Sequence, residues 1–81
     1  MKPKRSSYEI MWDILTYCRE PRKLTHIIQA CNLNTKAAKK YVNLLMEKGL
    51  LARHGGEYVT TGKGYAYMEL FTKLYMKIFS D

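Results

Sequence analysis

The sequence predicts a mainly α-helical domain with one small β-hairpin. Apolar residues recur at helical spacing in four segments, polar capping residues or glycines mark most of the helix ends, and a Gly-Gly pair separates two short β-prone runs. The four helical segments are residues 7–20, 23–31, 35–48 and 62–80. With 81 residues and no linker-like stretch, the chain is expected to form one domain over residues 1–81.

The first helix begins at "SSYE", where Ser6 and Glu9 can each bond the other's backbone N–H in a capping box. One buried stripe is predicted, made of Ile10, Ile14, Tyr17 and Cys18. Pro21 should end the helix at about residues 19–20, because proline disfavours helical geometry in the residue before it. The preceding residues 1–6 are expected to be a flexible basic arm.

Residue types at the element boundaries predict the later helices. Asn34 is a favourable N-cap for the third helix, and Gly49 suits the left-handed position that ends it. Thr61 is predicted to cap the last helix, and "HGG" to turn the hairpin. Three helices, a hairpin and a long C-terminal helix make a winged helix-turn-helix, in which the second and third helices form the helix-turn-helix and the hairpin is the wing.

The charge balance favours a polyanionic partner. Fourteen Lys and Arg residues stand against seven Asp and Glu, for a formal net charge of +7. Nucleic acid is the first candidate and an anionic membrane the second. Apolar runs fall short of the roughly 20 residues of a membrane span, and the basic N-terminus lacks the apolar segment of a signal peptide. We therefore expect a cytoplasmic protein, at the nucleoid or in a host cytoplasm if it is viral.

The third helix divides into two faces. Its predicted core stripe is Ala38, Tyr41, Val42 and Leu45. The opposite face, called here the lysine face, consists of Lys36, Lys39, Lys40 and Asn43. Cations near a helix N-terminus oppose the helix dipole and repel one another at i, i+4 spacing. DNA phosphates would supply the missing negative charge; a solvated basic surface is the alternative.

Other predicted DNA contacts lie around this face. Thr35 and Lys36 occupy the end of the third helix that points at base edges in a helix-turn-helix, whereas Lys39 and Lys40 can reach phosphates or guanine. Asn43 can pair with adenine or bond a phosphate. Further candidates are Arg53 and His54 in the wing, and Lys23 and Thr25 at the start of the second helix. An ordinary polar turn is the alternative for the wing.

The enzyme and metal alternatives find little support. The glycines of "GGEYVTTGKG" do not meet the spacing of a phosphate-binding loop, and His26 has no nucleophile at motif spacing. Cys18 and Cys31 lack the spacing of a zinc site. They are predicted to be reduced thiols or, alternatively, a disulfide between two helix ends, which a hyperthermophilic source would favour. We expect no enzyme activity, cofactor or metal.

The last helix, within residues 61–80, carries more large apolar side chains than a small core needs. Its predicted dimer interface is Phe71, Leu74, Tyr75, Ile78 and Phe79. A two-fold homodimer would place two third helices about one DNA turn apart, ~34–36 Å. The alternatives are a helix folded back on its own domain and, less favoured because its lysines are few, a membrane-surface helix.

Residues 7–75 resemble archaeal winged-helix DNA-binding proteins, including short chromatin-associated and viral members with a C-terminal dimerisation helix. The resemblance is carried by "IMWDIL", "LTHIIQACNLNTKAAKKYVNLLMEKGLL" and "YVTTGKGYAYMELF", most specifically by "ACNLN", "YVNLLMEKGLL" and "TTGKG". It implies a dimeric transcription factor or nucleoid protein without a cofactor. By position, its recognition-helix contacts fall on Thr35, Lys36, Lys39, Lys40 and Asn43, and its wing contact on Arg53 or His54. The chain departs from it at Ala37-Ala38, where bulkier residues are usual, and in its short C-terminal helix.

Three functions remain open at this point. The first is a sequence-specific regulator that docks the third helix in the major groove as a homodimer. The second is an architectural protein that coats DNA with little sequence preference. The third is a winged-helix module that binds another protein. No small-molecule ligand is evident from the residues.

Overall fold

The structure is a computed structural model, and it describes residues 5–79 apart from the side chains of Tyr75, Ile78 and Phe79. The described elements form a mainly α-helical domain with a small antiparallel sheet, which confirms the predicted fold class. Their bounds are α1 Ser7–Tyr17, β1 Arg22–Lys23, α2 Leu24–Ala30, α3 Thr35–Glu47, β2 Leu51–His54, β3 Glu57–Thr60 and α4 Gly62–Phe79.

The capping box at the start of α1 is confirmed. Ser6 Oγ accepts from the Glu9 backbone N–H at 3.2 Å, and the Glu9 carboxylate accepts from the Ser6 backbone N–H at 3.5 Å. The helix ends at Tyr17 with Cys18 as its C-cap, short of the predicted residues 19–20. Tertiary bonds explain this end: in β3, the Thr60 backbone N–H donates to Cys18 O at 2.8 Å, and the Thr60 hydroxyl to Leu15 O at 2.7 Å.

Side-chain chemistry predicted from sequence sets both ends of α3. Asn34 Oδ1 accepts from the Ala37 backbone N–H at 2.7 Å, as an N-cap does. At the other end, Gly49 has a φ of 75°. The Leu50 N–H donates to Leu45 O at 2.9 Å, and the Gly49 N–H to Met46 O at 3.0 Å. These two bonds form a Schellman motif, so α3 is held rigidly at both ends.

The sheet has the strand order β1-β3-β2, with both pairings antiparallel. Strands β2 and β3 are the predicted wing hairpin, and their loop is Gly55-Gly56, where Gly55 has a φ of 63°. Strand β1 was not predicted. It pairs Arg22 with Tyr58 and Lys23 with Glu57, which fastens the start of α2 to the wing.

The core lies between the first three helices and the sheet. Its largest fully buried side chains are Ile14, Leu15, Cys18, Ile27, Val42 and Leu45. The predicted stripe on α3 is largely confirmed, since Ala38 is buried with Val42 and Leu45 while Tyr41 is half-buried. On α1, Ile10 and Tyr17 are half-buried.

The first turns of α4 close the core from the sheet side. The Thr61 hydroxyl accepts from the Gly64 N–H at 3.0 Å, which confirms Thr61 as the cap, and donates to Gly49 O at 2.7 Å. Met68 is buried two turns into the helix. Over residues 5–79, no helix is both long enough and apolar enough to cross a membrane.

Candidate nucleic-acid interface

The lysine face of α3 points outward as predicted. Its four side chains are exposed, while Ala38, Val42 and Leu45 on the opposite side are buried. The first turn of α3 contains no acidic residue. Within the described part of the chain, the ion pairs are Arg5–Asp13, Arg22–Glu20 and Lys73–Glu69, so none neutralises a lysine of this face. The face is therefore a concentrated positive surface on a rigid helix.

Thr35 and Asn43 add hydrogen-bonding groups at either end of this surface. Thr35 is exposed at the first position of α3, next to the Asn34 cap, and Asn43 is exposed about two turns further on. A hydroxyl and a carboxamide can read base edges, whereas lysine acts mainly as a point charge. The surface thus combines three charges with two directional groups.

The wing arginine is folded back on its own hairpin. Arg53 Nε donates to Gly55 O at 3.3 Å, and the guanidinium carbon lies 5.6 Å from the centre of the Tyr58 ring. The side chain is nevertheless exposed, as is that of His54. These contacts hold the Arg53 charge close to the loop at the wing tip.

Strand pairing brings two predicted site residues onto one row of the sheet. Glu57 of β3 is paired with Lys23 on one side and with His54 on the other. Neighbouring strands are about 4.8 Å apart, so Lys23 and His54 lie roughly 10 Å from each other. An exposed carboxylate between them lowers the positive potential of this row.

Lys23 and Thr25 stand at the start of α2, as predicted. Lys23 occupies the N-cap position and makes no side-chain cap bond, and both side chains are exposed. Helix α2 has seven residues and packs between α1 and α3. The predicted role of this helix start in phosphate binding stays a prediction.

Sequence reasoning missed an ordered cluster at the edge of the lysine face. Arg5 Nη1 bonds Asp13 Oδ2 at 2.8 Å, and Arg5 Nη2 donates to Asn32 O at 3.1 Å. The hydroxyls of Ser7 and Tyr41 lie 3.2 Å apart in a hydrogen bond. An available signal was the position of Asp13 off the buried stripe of α1, where an acid can meet a cation of the preceding arm.

Both cysteines are buried free thiols at helix ends, Cys18 as the C-cap of α1 and Cys31 as the C-cap of α2. Burial, then the nearby Cys31, raises the pKa of Cys18 to about 12. Burial, then Asp13, raises the pKa of Cys31 to about 11. These thiols are poor nucleophiles at neutral pH. The oxidised alternative stays a prediction.

The predicted interface on α4 is partly described. Leu74 is 60% exposed, while Phe71 is half-buried with its ring 5.5 Å from that of Trp12. The side chains of Tyr75, Ile78 and Phe79 lie outside the described residues. Leu70, which was not predicted, is 67% exposed one turn before Leu74. Two large apolar side chains are thus exposed on adjacent turns of one helix.

Comparison with known proteins assigns the class. A family model described as winged helix-turn-helix matches residues 4–78, and the chain belongs to that family. An uncharacterized protein from Methanocaldococcus jannaschii is 29% identical over 73 residues, which cover 89% of this chain and 72% of that protein. The crystal structure of Sso10a-2, a DNA-binding protein from Sulfolobus solfataricus, superposes with a TM-score of 0.73 at 30% identity and covers 94% of this chain and 87% of that one. The resemblance to archaeal winged-helix proteins is confirmed.

Proposed function

We propose that this protein binds double-stranded DNA and docks α3 in the major groove. The observation that carries the proposal is the lysine face, which is exposed, forms no ion pair with residues 5–79 and is located on a helix capped at both ends. Such a surface repels itself in the free protein and is stabilised when phosphates neutralise it. The 30% identity to a DNA-binding protein along nearly the whole chain supports the proposal.

Each residue of the surface has a role in the proposed complex. Lys36, Lys39 and Lys40 bind backbone phosphates, with Lys36 and Thr35 nearest to the base edges. Asn43 bonds adenine or a phosphate. Arg53 and His54 place the wing along the neighbouring backbone, and Lys23 and Thr25 bind a phosphate on the other side.

We further propose that the protein acts as a homodimer and regulates transcription. Leu70 and Leu74 expose apolar surface on adjacent turns of α4, and pairing α4 with its copy would bury it. The paired subunits would present two copies of α3 to successive major grooves, ~34–36 Å apart. A DNA sequence that suits α3 in both major grooves would bind more tightly than other sequences, which is the specificity that regulation requires.

One observation favours an architectural role as the second candidate. Three of the four residues of the lysine face are lysines, which bind phosphates without reading the sequence. Thr35 and Asn43 are the residues of α3 best suited to base readout. A protein of this design would coat DNA with a small preference among sequences.

Salt-dependent binding separates the candidates. Affinities are measured between 50 and 300 mM salt, roughly the range over which phosphate contacts dominate, for a random duplex and for a duplex selected from a random pool. A regulator prefers the selected duplex by ~10³-fold or more. Equal affinities with a steep salt slope indicate coating. Absence of binding to both duplexes at low salt refutes DNA binding and leaves the protein-interaction module.

A further inference from the structure

An open cleft adjoins the lysine face, between the start of α1, the α2–α3 turn and the first half of α3. Its volume is about 570 Å³. Its polar lining residues include Arg5, Asn34, Lys40 and Tyr41, and its apolar lining residues include Ile10 and Leu33. Lys40 belongs to both the cleft and the lysine face, so the two surfaces are continuous.

Arg5 is held in place on one wall of the cleft. Its guanidinium bonds the Asp13 carboxylate at 2.8 Å and the Asn32 carbonyl at 3.1 Å, which bridges α1 and the α2–α3 turn. The side chain remains 32% exposed. A guanidinium has five N–H donors, so two bonds do not saturate it.

The other wall is ordered by Tyr41. Its hydroxyl is hydrogen-bonded to Ser7 Oγ at 3.2 Å, and Lys40 Nζ lies 5.4 Å from the centre of its ring. This cation–π contact holds the ammonium group beside the Tyr41 ring, which also lines the cleft. The cleft is therefore lined by a guanidinium and an ammonium group together with apolar side chains.

We propose that this cleft binds one phosphate of the DNA backbone, with the attached deoxyribose against the apolar side chains of Ile10 and Leu33. This deepens the proposed function and rests on it. The charge is complementary: Arg5 and Lys40 line the cleft and Asp13 pairs with Arg5, so these three groups together carry one positive charge, and a phosphodiester carries one negative charge. Arg5 is a residue that the lysine face alone does not include.

The consequence for binding is geometric. A phosphate held between Arg5 and Lys40 ties the start of α1 to the backbone beside the groove that α3 occupies. Phosphate contacts fix the register and orientation of a protein on the duplex. The cleft thus sets the angle at which α3 enters the groove, although it contacts no base.

Two matched charge removals test the site. Arg5→Gln and Arg19→Gln each remove one positive charge, and Arg19 is exposed beyond the opposite end of α1. We expect Arg5→Gln to weaken duplex binding roughly tenfold, as for the loss of one charge-assisted hydrogen bond, and to lower the salt slope by about 0.9 per bound subunit. Arg19→Gln should change the duplex affinity and the salt slope much less. Equal effects of the two variants overturn the proposal.

A scan with neutral methylphosphonate linkages identifies the phosphate directly. The linkage is placed at successive positions of one duplex, and affinity is measured for the wild type, Arg5→Gln and Lys40→Gln. At one position, a methylphosphonate linkage should lower the affinity of the wild type but leave the affinities of Arg5→Gln and Lys40→Gln unchanged. The cleft is refuted if the two variants become insensitive to linkages at different positions. It is also refuted if both variants are as sensitive as the wild type at every position. If Arg5→Gln does not fold, Arg5→Met, which keeps the apolar stem and removes the charge, takes its place in the scan. Full sensitivity of Arg5→Met at the position to which Lys40→Gln is insensitive refutes the cleft.

The measurements distinguish an error in the proposed cleft from an error in the proposed DNA binding. If the proposed function is wrong, the wild type itself does not bind the duplex. If only the cleft is wrong, the wild type binds and depends on Lys36 and Lys39, while Arg5→Gln behaves like Arg19→Gln.

Discussion

The ring of Trp12 in α1 lies 5.5 Å from the ring of Phe71 in α4, with the two planes inclined by 31°. This spacing is typical of a favourable aromatic pair. The contact fixes the middle of α4 against its own domain, so Phe71 is half-buried within the subunit. Leu70 and Leu74, on the neighbouring part of the helix surface, remain exposed.

The first prediction concerns the proposed dimer. Replacing Leu70 and Leu74 together with Asp places two carboxylates in the proposed apolar interface, where burial of an unpaired charge is strongly unfavourable. Sedimentation should give the 9.5 kDa monomer for this variant and twice that mass for the wild type.

Thr72→Asp, which adds one carboxylate rather than two, is the control for a new charge elsewhere on α4, because Thr72 is exposed on the same helix at a position rotated away from Leu70 and Leu74. It should sediment as the wild type does. A wild type that is monomeric at high concentration, or a double variant that remains dimeric, contradicts the proposed interface.

Two glycines in the first turn of α4 should respond differently to alanine. A Cβ at Gly64 would overlap the Leu50 carbonyl oxygen and lie 2.7 Å from Thr60 Cγ2, whereas a Cβ at Gly62 would meet none of the described residues within 4 Å apart from its own stretch of chain. Gly64→Ala should lower the free energy of unfolding by about 1–3 kcal/mol, as overpacking does. Gly62→Ala should change it by less than about 1 kcal/mol. Urea unfolding measures both, and equal losses would contradict the close approach of α4 to Leu50.

Because the two thiols are buried, we expect the protein to lose stability as the pH rises above about 9. In the unfolded chain both thiols titrate near 9.0, but in the folded protein Cys18 has a pKa of about 12 and Cys31 of about 11. Between pH 9 and 11 the folded state therefore binds more protons than the unfolded state. The free energy of unfolding falls as pH rises, by up to about 1.4 kcal/mol per pH unit for each thiol. Below pH 9 this contribution is fully present.

The control is the double variant Cys18→Ala, Cys31→Ala. Its stability at neutral pH is lower, because alanine leaves cavities in the core. The other titrating side chains are the same in both proteins, so the dependence of the free energy of unfolding on pH can be compared between them. Urea unfolding in reductant from pH 7.5 to 10.5 should give a shallower decline for the double variant; parallel declines would show that the thiols do not titrate in this range.

Features governed by local chemistry were predictable from the sequence. The capping box at Ser6, the Asn34 cap and the left-handed Gly49 each depend on residues within one helical turn. The division of α3 into a core stripe and a lysine face follows from the helical period alone. These elements position most of the candidate site.

Features governed by distant contacts were not predictable. Strand β1 contains two charged residues and exists because it pairs with β3, some 35 positions away in the chain. Helix α1 stops early because its last carbonyls accept bonds from Thr60. The sequence alone predicts a flexible arm at Arg5, because its partners, Asp13 and Asn32, meet only in the folded chain.

In the proposed complex, the position of the lysines on α3, and not the total charge of the protein, produces DNA binding. Lys36, Lys39 and Lys40 are changed together to Gln, and in a second variant Lys48, Lys73 and Lys77, which are exposed at the end of α3 and on α4, are changed likewise. Each variant loses three charges, so the net charge falls from +7 to +4 in both.

Duplex affinity measured across a salt series for these two variants and the wild type is the most direct test. The lysine-face variant should bind on the order of 100-fold more weakly or worse, with a salt slope lower by about three per bound subunit, while the control variant stays close to the wild type. Circular dichroism should show both variants folded. Equal losses in the two variants, or unchanged affinity in the first, would contradict the assignment of α3 as the DNA-binding helix.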